Sequence, residues 1–133
     1  MAVVLARWGL WEPPAEAVMV SAPLSGQLLR PFHPAEHPGV DIAGNAGEPV
    51  TCLFAGQVIE IGERLEEGTL VKVESPGGLV VLYCGLESTV VALGDEVAAG
   101  ELLGYLAARE PAHLHLEVWR GLTPLDPLPL LPR

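Results

Sequence analysis

The feature that most constrains the fold is a strictly alternating segment near the C-terminus, residues 113–119. Its odd positions carry His113, His115, Glu117 and Trp119. Its even positions carry Leu114, Leu116 and Val118. Because residues i and i+2 of a β-strand point to the same face, this pattern predicts a strand with one buried apolar face. The opposite face then presents two imidazoles next to each other.

A second histidine motif lies far upstream, where the chain reads His37-Pro38-Gly39-Val40-Asp41. Two histidines and one carboxylate around an open coordination position form a common catalytic zinc site. A third histidine beside such a site can move protons. A single histidine is more often a surface or core residue than a ligand. Three of the chain's four histidines fall in these two motifs, however, and this favours metal binding.

The two motifs together resemble the lysostaphin-type (LytM-like) zinc metallopeptidases, which cut bacterial cell-wall peptides. The resemblance covers most of residues 21–128 and includes segments 23–32, 47–58, 91–104 and 121–127. It implies an all-β, antiparallel sandwich with a groove and little helix. It also implies zinc as the cofactor, with His37, Asp41 and His115 as its ligands and His113 as a catalytic residue.

One departure from the family concerns its Tyr-x-His-Leu motif, whose histidine lines the groove. Here the segment reads Tyr83-Cys84-Gly85-Leu86, so a glycine replaces the expected histidine. The resemblance therefore implies a degenerate catalytic site. Because Tyr83 and Leu86 keep the flanking pattern, we expect position 85 to face the groove, with Cys84 on the opposite face. On this basis Gly85→His is expected to raise hydrolysis.

Three functions are compatible with these observations. The first is a zinc-binding domain that cleaves peptide bonds in peptidoglycan stems or bridges, with impaired catalysis. The second is an inactive interaction module that binds a partner protein, because family members with altered sites are often regulatory or structural in sporulation and division. The third is a carrier or phosphotransfer domain. The only lysine, Lys72, lies within a predicted strand, and the spacing of Asp41 fits a metal better than phosphotransfer.

Length and composition limit the remaining possibilities. A chain of 133 residues suits one ordinary domain. We divide it into a leader at residues 1–20, the metallopeptidase-like domain at 21–128 and a tail at 129–133. The 15 glycines and 13 prolines favour turns and short strands over long helices. A net charge of −10 disfavours nucleic-acid binding, which needs a basic surface.

Segment hydropathy and the two cysteines bear on localisation and redox state. No segment has the length and apolarity of a membrane span, and no export signal is visible, whereas the family implies the cell envelope. Cys52 and Cys84 lie in apolar, strand-like segments, which favours two buried free thiols. A disulfide between them remains the alternative.

Overall fold

A computed structural model of the chain describes residues 2–4, 18–20 and 22–132. Within these residues it contains twelve β-strands and a single turn of 3-10 helix at Leu128–Leu130. The strands are β1 (Ala2–Val4), β2 (Val18–Val20), β3 (Leu28–Arg30), β4 (Val40–Ala43), β5 (Pro49–Thr51), β6 (Gly56–Arg64), β7 (Gly68–Glu74), β8 (Leu79–Thr89), β9 (Glu96–Val97), β10 (Leu102–Leu106), β11 (His113–Arg120) and β12 (Thr123–Leu125). None of the described residues belongs to a helix capable of spanning a membrane. Much of the leader predicted at residues 1–20 lies outside the described residues.

Seven strands form a continuous antiparallel sheet in the order β3-β4-β11-β8-β7-β6-β9. Strand β12 pairs with the end of β11, while β10 pairs with both β5 and the second half of β8. Strands β1 and β2 form a separate two-stranded sheet. This architecture confirms the predicted all-β, antiparallel fold.

The core explains the alternation in β11. Leu114, Leu116 and Val118 are all fully buried, and they belong to one large apolar cluster that also contains Leu103 and Leu106 of β10. Each fully buried side chain of this kind contributes about 1.5–3 kcal/mol relative to exposure. The core therefore lies on the apolar face of β11 and leaves the histidine face of the sheet free for a site.

The histidine face, which we call the site face, is organised in cross-strand rows. One row runs through Gly62, Leu70, Cys84, His115 and Asp41. The next row runs through Glu60, Lys72, Leu82 and Glu117. Directly paired residues share a face of the sheet. Cys84 therefore lies on the same face as His115, whereas Tyr83 is buried in the core.

Gly85 occupies a β-bulge in β8. Its neighbours Tyr83 and Leu86 are both in the core although they are three residues apart, which strict alternation does not permit. The pairing with β7 shifts between Cys84 and Leu86, so Gly85 is the extra residue of the bulge. Gly85 has a φ of 112°, and a Cβ atom there would lie 2.7 Å from the carbonyl oxygen of His113. The expectation that position 85 would direct a histidine into the groove is therefore wrong for this backbone.

We predict that Gly85→Ala destabilises the protein, as Gly85→His would. A side chain at this φ costs on the order of 1–3 kcal/mol, and the contact with the His113 oxygen adds to that cost. Urea unfolding should show a lower midpoint at an unchanged m-value. Gly78→Ala is the matched control, because Gly78 has a φ of 87° but open space around its Cβ position. Equal losses in the two variants would show that the contact with His113 has no effect.

Candidate metal centre

Two neighbouring strands bring the predicted ligands together. Asp41 of β4 pairs directly with His115 of β11, and Asp41 Oδ1 lies 2.7 Å from His115 Nδ1. His37 lies three residues before β4, in a turn closed by backbone hydrogen bonds to His33, and its Nε2 lies 3.3 Å from Asp41 Oδ1. The ligand atoms of His37, Asp41 and His115 all lie within 4.8 Å of one another. They form the only such group of metal-ligating side chains among the described residues.

The second ring nitrogen of each candidate ligand is fixed by a hydrogen bond. His37 Nδ1 donates to the carbonyl oxygen of Pro31 at 3.0 Å. His115 Nε2 donates to Glu117 Oε2 at 2.7 Å. Such partners orient metal-binding histidines and set their tautomers. The nitrogens left to bind a metal are therefore His37 Nε2 and His115 Nδ1, the two that converge on Asp41.

Glu117 is a site residue to which the sequence analysis gave no role. It is only 4% exposed. Its Oε1 accepts a hydrogen bond from Trp119 Nε1 at 2.7 Å, and Arg64 Nη1 lies 3.5 Å from its Oε2. Its position two residues after His115, on the same face of β11, is the signal in the sequence that points to it.

His115 and its two carboxylate neighbours shift one another's pKa values toward the charged forms. Burial opposes the charged form of His115, but hydrogen bonds with Asp41 and Glu117 outweigh it and raise the pKa of His115 to about 9. Burial also opposes ionisation of Asp41, yet the hydrogen bond and charge of His115 lower the pKa of this carboxyl group. The pKa of Glu117 is lowered in the same way, by His115 and Trp119 against burial. In the metal-free protein, protonated His115 donates a hydrogen bond from Nδ1 to Asp41 and another from Nε2 to Glu117.

We predict that metal binding releases the proton on His115. Because the pKa of His115 is raised to about 9, Nδ1 is protonated below that pH in the metal-free protein and must lose its proton to bind a metal. Apparent zinc affinity should therefore rise with pH up to about 9. Calorimetry at pH 8 in two buffers of different ionisation enthalpy should show release of about 0.9 proton per zinc from His115, because roughly nine-tenths of this group is protonated one pH unit below its pKa. Heats that do not depend on the buffer would contradict this assignment.

His113 lies beside the cluster but outside it. It pairs with Ala43 of β4 and projects from the same face of β11 as His115. Its Nδ1 donates to the carbonyl oxygen of Pro111 at 2.8 Å. This hydrogen bond leaves the lone pair of Nε2 available as a proton acceptor.

Both cysteines are free and buried, as predicted. The Cys84 Sγ lies 3.8 Å from the carbonyl oxygen of Glu67. Burial, with the nearby Glu67, raises the pKa of Cys84 to about 11. The group therefore remains a thiol at neutral pH, and a thiol is a poor metal ligand.

Known proteins share this arrangement of strands. Residues 35–127 match the sequence profile of peptidase family M23. The chain is 26% identical to the murein hydrolase activator NlpD of Salmonella typhimurium, over 92% of the chain and 36% of that protein. It superposes on a putative peptidase M23 from Pseudomonas aeruginosa with a TM-score of 0.75 and 32% identity, over 86% of this chain and 50% of that one.

The antimicrobial peptidase lysostaphin from Staphylococcus simulans is a further structural neighbour. Its TM-score is 0.66 at 29% identity, covering 80% of this chain and 48% of the lysostaphin chain. The chain spans less than half the length of curated relatives such as NlpD. The profile match over residues 35–127 and the shared fold show that the chain belongs to peptidase family M23, the lysostaphin-type family that its two histidine motifs indicated.

Proposed function

We propose that this domain binds one zinc ion through His37, Asp41 and His115 and hydrolyses peptide bonds in peptidoglycan stems or bridges. The observation that carries the proposal is the convergence of the three ligand atoms within 4.8 Å. Tetrahedral zinc ligands with bonds of 2.0–2.2 Å stand about 3.4 Å apart. The 3.3 Å separation between His37 Nε2 and Asp41 Oδ1 is close to that value, whereas the 2.7 Å separation between His115 Nδ1 and Asp41 Oδ1 is a hydrogen bond that a metal would replace. Small side-chain movements would complete the coordination shell.

The chemistry divides between the metal and the protein. Bound zinc would polarise the scissile carbonyl group and lower the pKa of a bound water to about 7. His113, oriented by the Pro111 carbonyl group, accepts a proton from the attacking water at Nε2 and passes it to the leaving amine. Glu117 keeps His115 in the orientation that presents Nδ1 to the metal.

The glycine at position 85 is the reason to expect reduced hydrolytic activity. Gly85 provides no side-chain donor for the developing negative charge on the substrate. Loss of one such donor costs about 10²–10³ in rate. A slow enzyme is therefore expected. We place its action in the cell envelope, where the peptidoglycan substrate lies, in keeping with a relative named as a murein hydrolase activator.

The alternative is an interaction module of the cell-wall or division machinery that binds a partner protein. The bulge at Gly85 favours it, because this backbone leaves no room for a second catalytic imidazole at that position. In such a module zinc would stabilise the fold without supporting hydrolysis.

Digestion of purified peptidoglycan separates the two functions. The zinc-loaded protein is expected to release soluble peptide fragments slowly, as detected by mass spectrometry. Treatment with a chelator should abolish release, and added zinc should restore it. A protein that binds one equivalent of zinc but releases no more fragments than the chelated sample would favour the interaction module.

A further inference from the structure

A pocket of about 350 Å³ lies beside the metal centre on the site face. Its lining includes Glu60, Arg64, Lys72, Val80, Leu82 and Trp119. We propose that this pocket is a subsite for the carboxylate of a bound peptide, held by Arg64 and Lys72. The inference rests on the proposed function, since it names a chemical group of the peptide that the metal centre would act on.

The register of the sheet places the pocket next to the metal. Glu117, which also lines the pocket, is two residues from His115 on β11, or about 7 Å along the strand. It pairs with Leu82, which pairs with Lys72 across β7. A peptide lying along the site face would therefore reach the pocket within about two residues of the metal.

The carboxylate of Glu117 is not available to a ligand. The residue is 4% exposed, and its two oxygens already accept hydrogen bonds of 2.7 Å from His115 and Trp119. The indole N–H of Trp119 is used in the same network. Trp119 therefore offers the pocket only its apolar ring, and the half-buried Val80 adds further apolar surface, whereas Leu82 is only 1% exposed.

The groups that remain accessible are mainly hydrogen-bond donors. Within the described part of the chain, Arg64 contacts Glu67 and Glu117 only through Nη1, at 3.5 Å, so Nε and Nη2 are not engaged. Lys72 has three donors and one contact, to Glu60 at 3.2 Å. Their side chains are 37% and 34% exposed, respectively. A guanidinium group with free donors is suited to bidentate binding of a carboxylate.

The overall charge of the chain makes this pairing unusual. The sequence has 7 lysines and arginines against 17 acidic residues, and two of those seven cations line this one pocket. Glu60 is the only accessible acid in the lining, and it is already paired with Lys72. In number, the two cations are balanced by Glu60 and Glu117 of the lining, and Glu67 contacts Arg64 from outside it. Because Glu117 is buried and the unengaged donors belong to Arg64 and Lys72, the pocket matches an anionic group next to an apolar side chain.

The test compares N-acetyl-alanyl-glutamate with its diamide, which has the same shape but no charge. The indole N–H of Trp119, assigned with Trp119→Phe, is followed by NMR in the zinc-loaded and the chelated protein. The acid should shift this resonance saturably in both samples and bind about tenfold more tightly than the diamide. Binding that disappears on chelation would mean that the carboxylate binds the metal, and would overturn the proposal.

Variants that remove either a positive or a negative charge from the pocket complete the test. Arg64→Gln and Lys72→Gln should each weaken binding of the acid about tenfold, and Glu60→Gln should strengthen it. Lys72 contacts no residue of the metal centre, so Lys72→Gln remains decisive if Arg64→Gln also lowers zinc affinity. Equal binding of acid and diamide, or wild-type affinity in Lys72→Gln, would overturn the subsite.

The subsite and the proposed function fail separately in these experiments. Carboxylate binding in a protein that takes up no zinc would refute the metallopeptidase and leave the subsite standing. Zinc-dependent cleavage by a protein that binds acid and diamide equally well would support the metallopeptidase and refute the subsite.

Discussion

His115→Ala is expected to lower zinc affinity by more than the roughly 10–100-fold that loss of an outer-shell partner costs. The substitution removes the ligand atom Nδ1 and also leaves the carboxylates of Asp41 and Glu117 without the imidazole between them. Competition against a fluorescent zinc chelator would measure the loss, with circular dichroism confirming that the variant folds.

Two further variants provide an intermediate case and a control for the effect of His115→Ala on zinc affinity. Glu117→Gln keeps an acceptor for His115 Nε2 but loses the charge, so it should weaken zinc binding by at most 10–100-fold. His33→Asn is the matched control, because the exposed His33 binds only local backbone N–H groups through its side chain. It should leave zinc affinity unchanged. Wild-type affinity in His115→Ala would show that the metal binds elsewhere.

His113→Ala is expected to remove most hydrolysis while the protein keeps its zinc. A positioned general base contributes about 10²–10⁴ in rate, and the hydrogen bond to Pro111 leaves His113 Nε2 free for that role. Fragment release and zinc content would be measured on the same samples. Loss of zinc in this variant would make His113 a ligand, and an unchanged rate would show that another group moves the proton.

The sequence predicted those features that depend on local periodicity. Alternation in β11 correctly separated the core residues Leu114, Leu116 and Val118 from the site face. The glycines and prolines correctly favoured turns and short strands, as in the turn at Ser75-Pro76-Gly77-Gly78 that joins β7 to β8. These patterns are visible in sequence because one buried face fixes the register of each strand.

Features that depend on pairing between distant strands were missed. Alternation cannot reveal a bulge, so the sequence placed position 85 in the groove and did not place Cys84 beside His115. The pocket beside the metal centre also depends on the pairing of Lys72 with Leu82, which involves two separate strands. The i, i+2 spacing of a strand predicts that Glu117 shares a face with His115, but only the structure shows that both oxygens of Glu117 accept hydrogen bonds.

The most direct test of the zinc assignment is anomalous diffraction at the zinc edge from crystals grown with zinc. One peak is expected beside His37 Nε2, Asp41 Oδ1 and His115 Nδ1, with the two ring nitrogens at about 2.0–2.1 Å from the metal. Glu117 should still accept the hydrogen bond from His115 Nε2 in the zinc complex. A fully occupied peak bound to other residues, with these three side chains unliganded, would contradict the account.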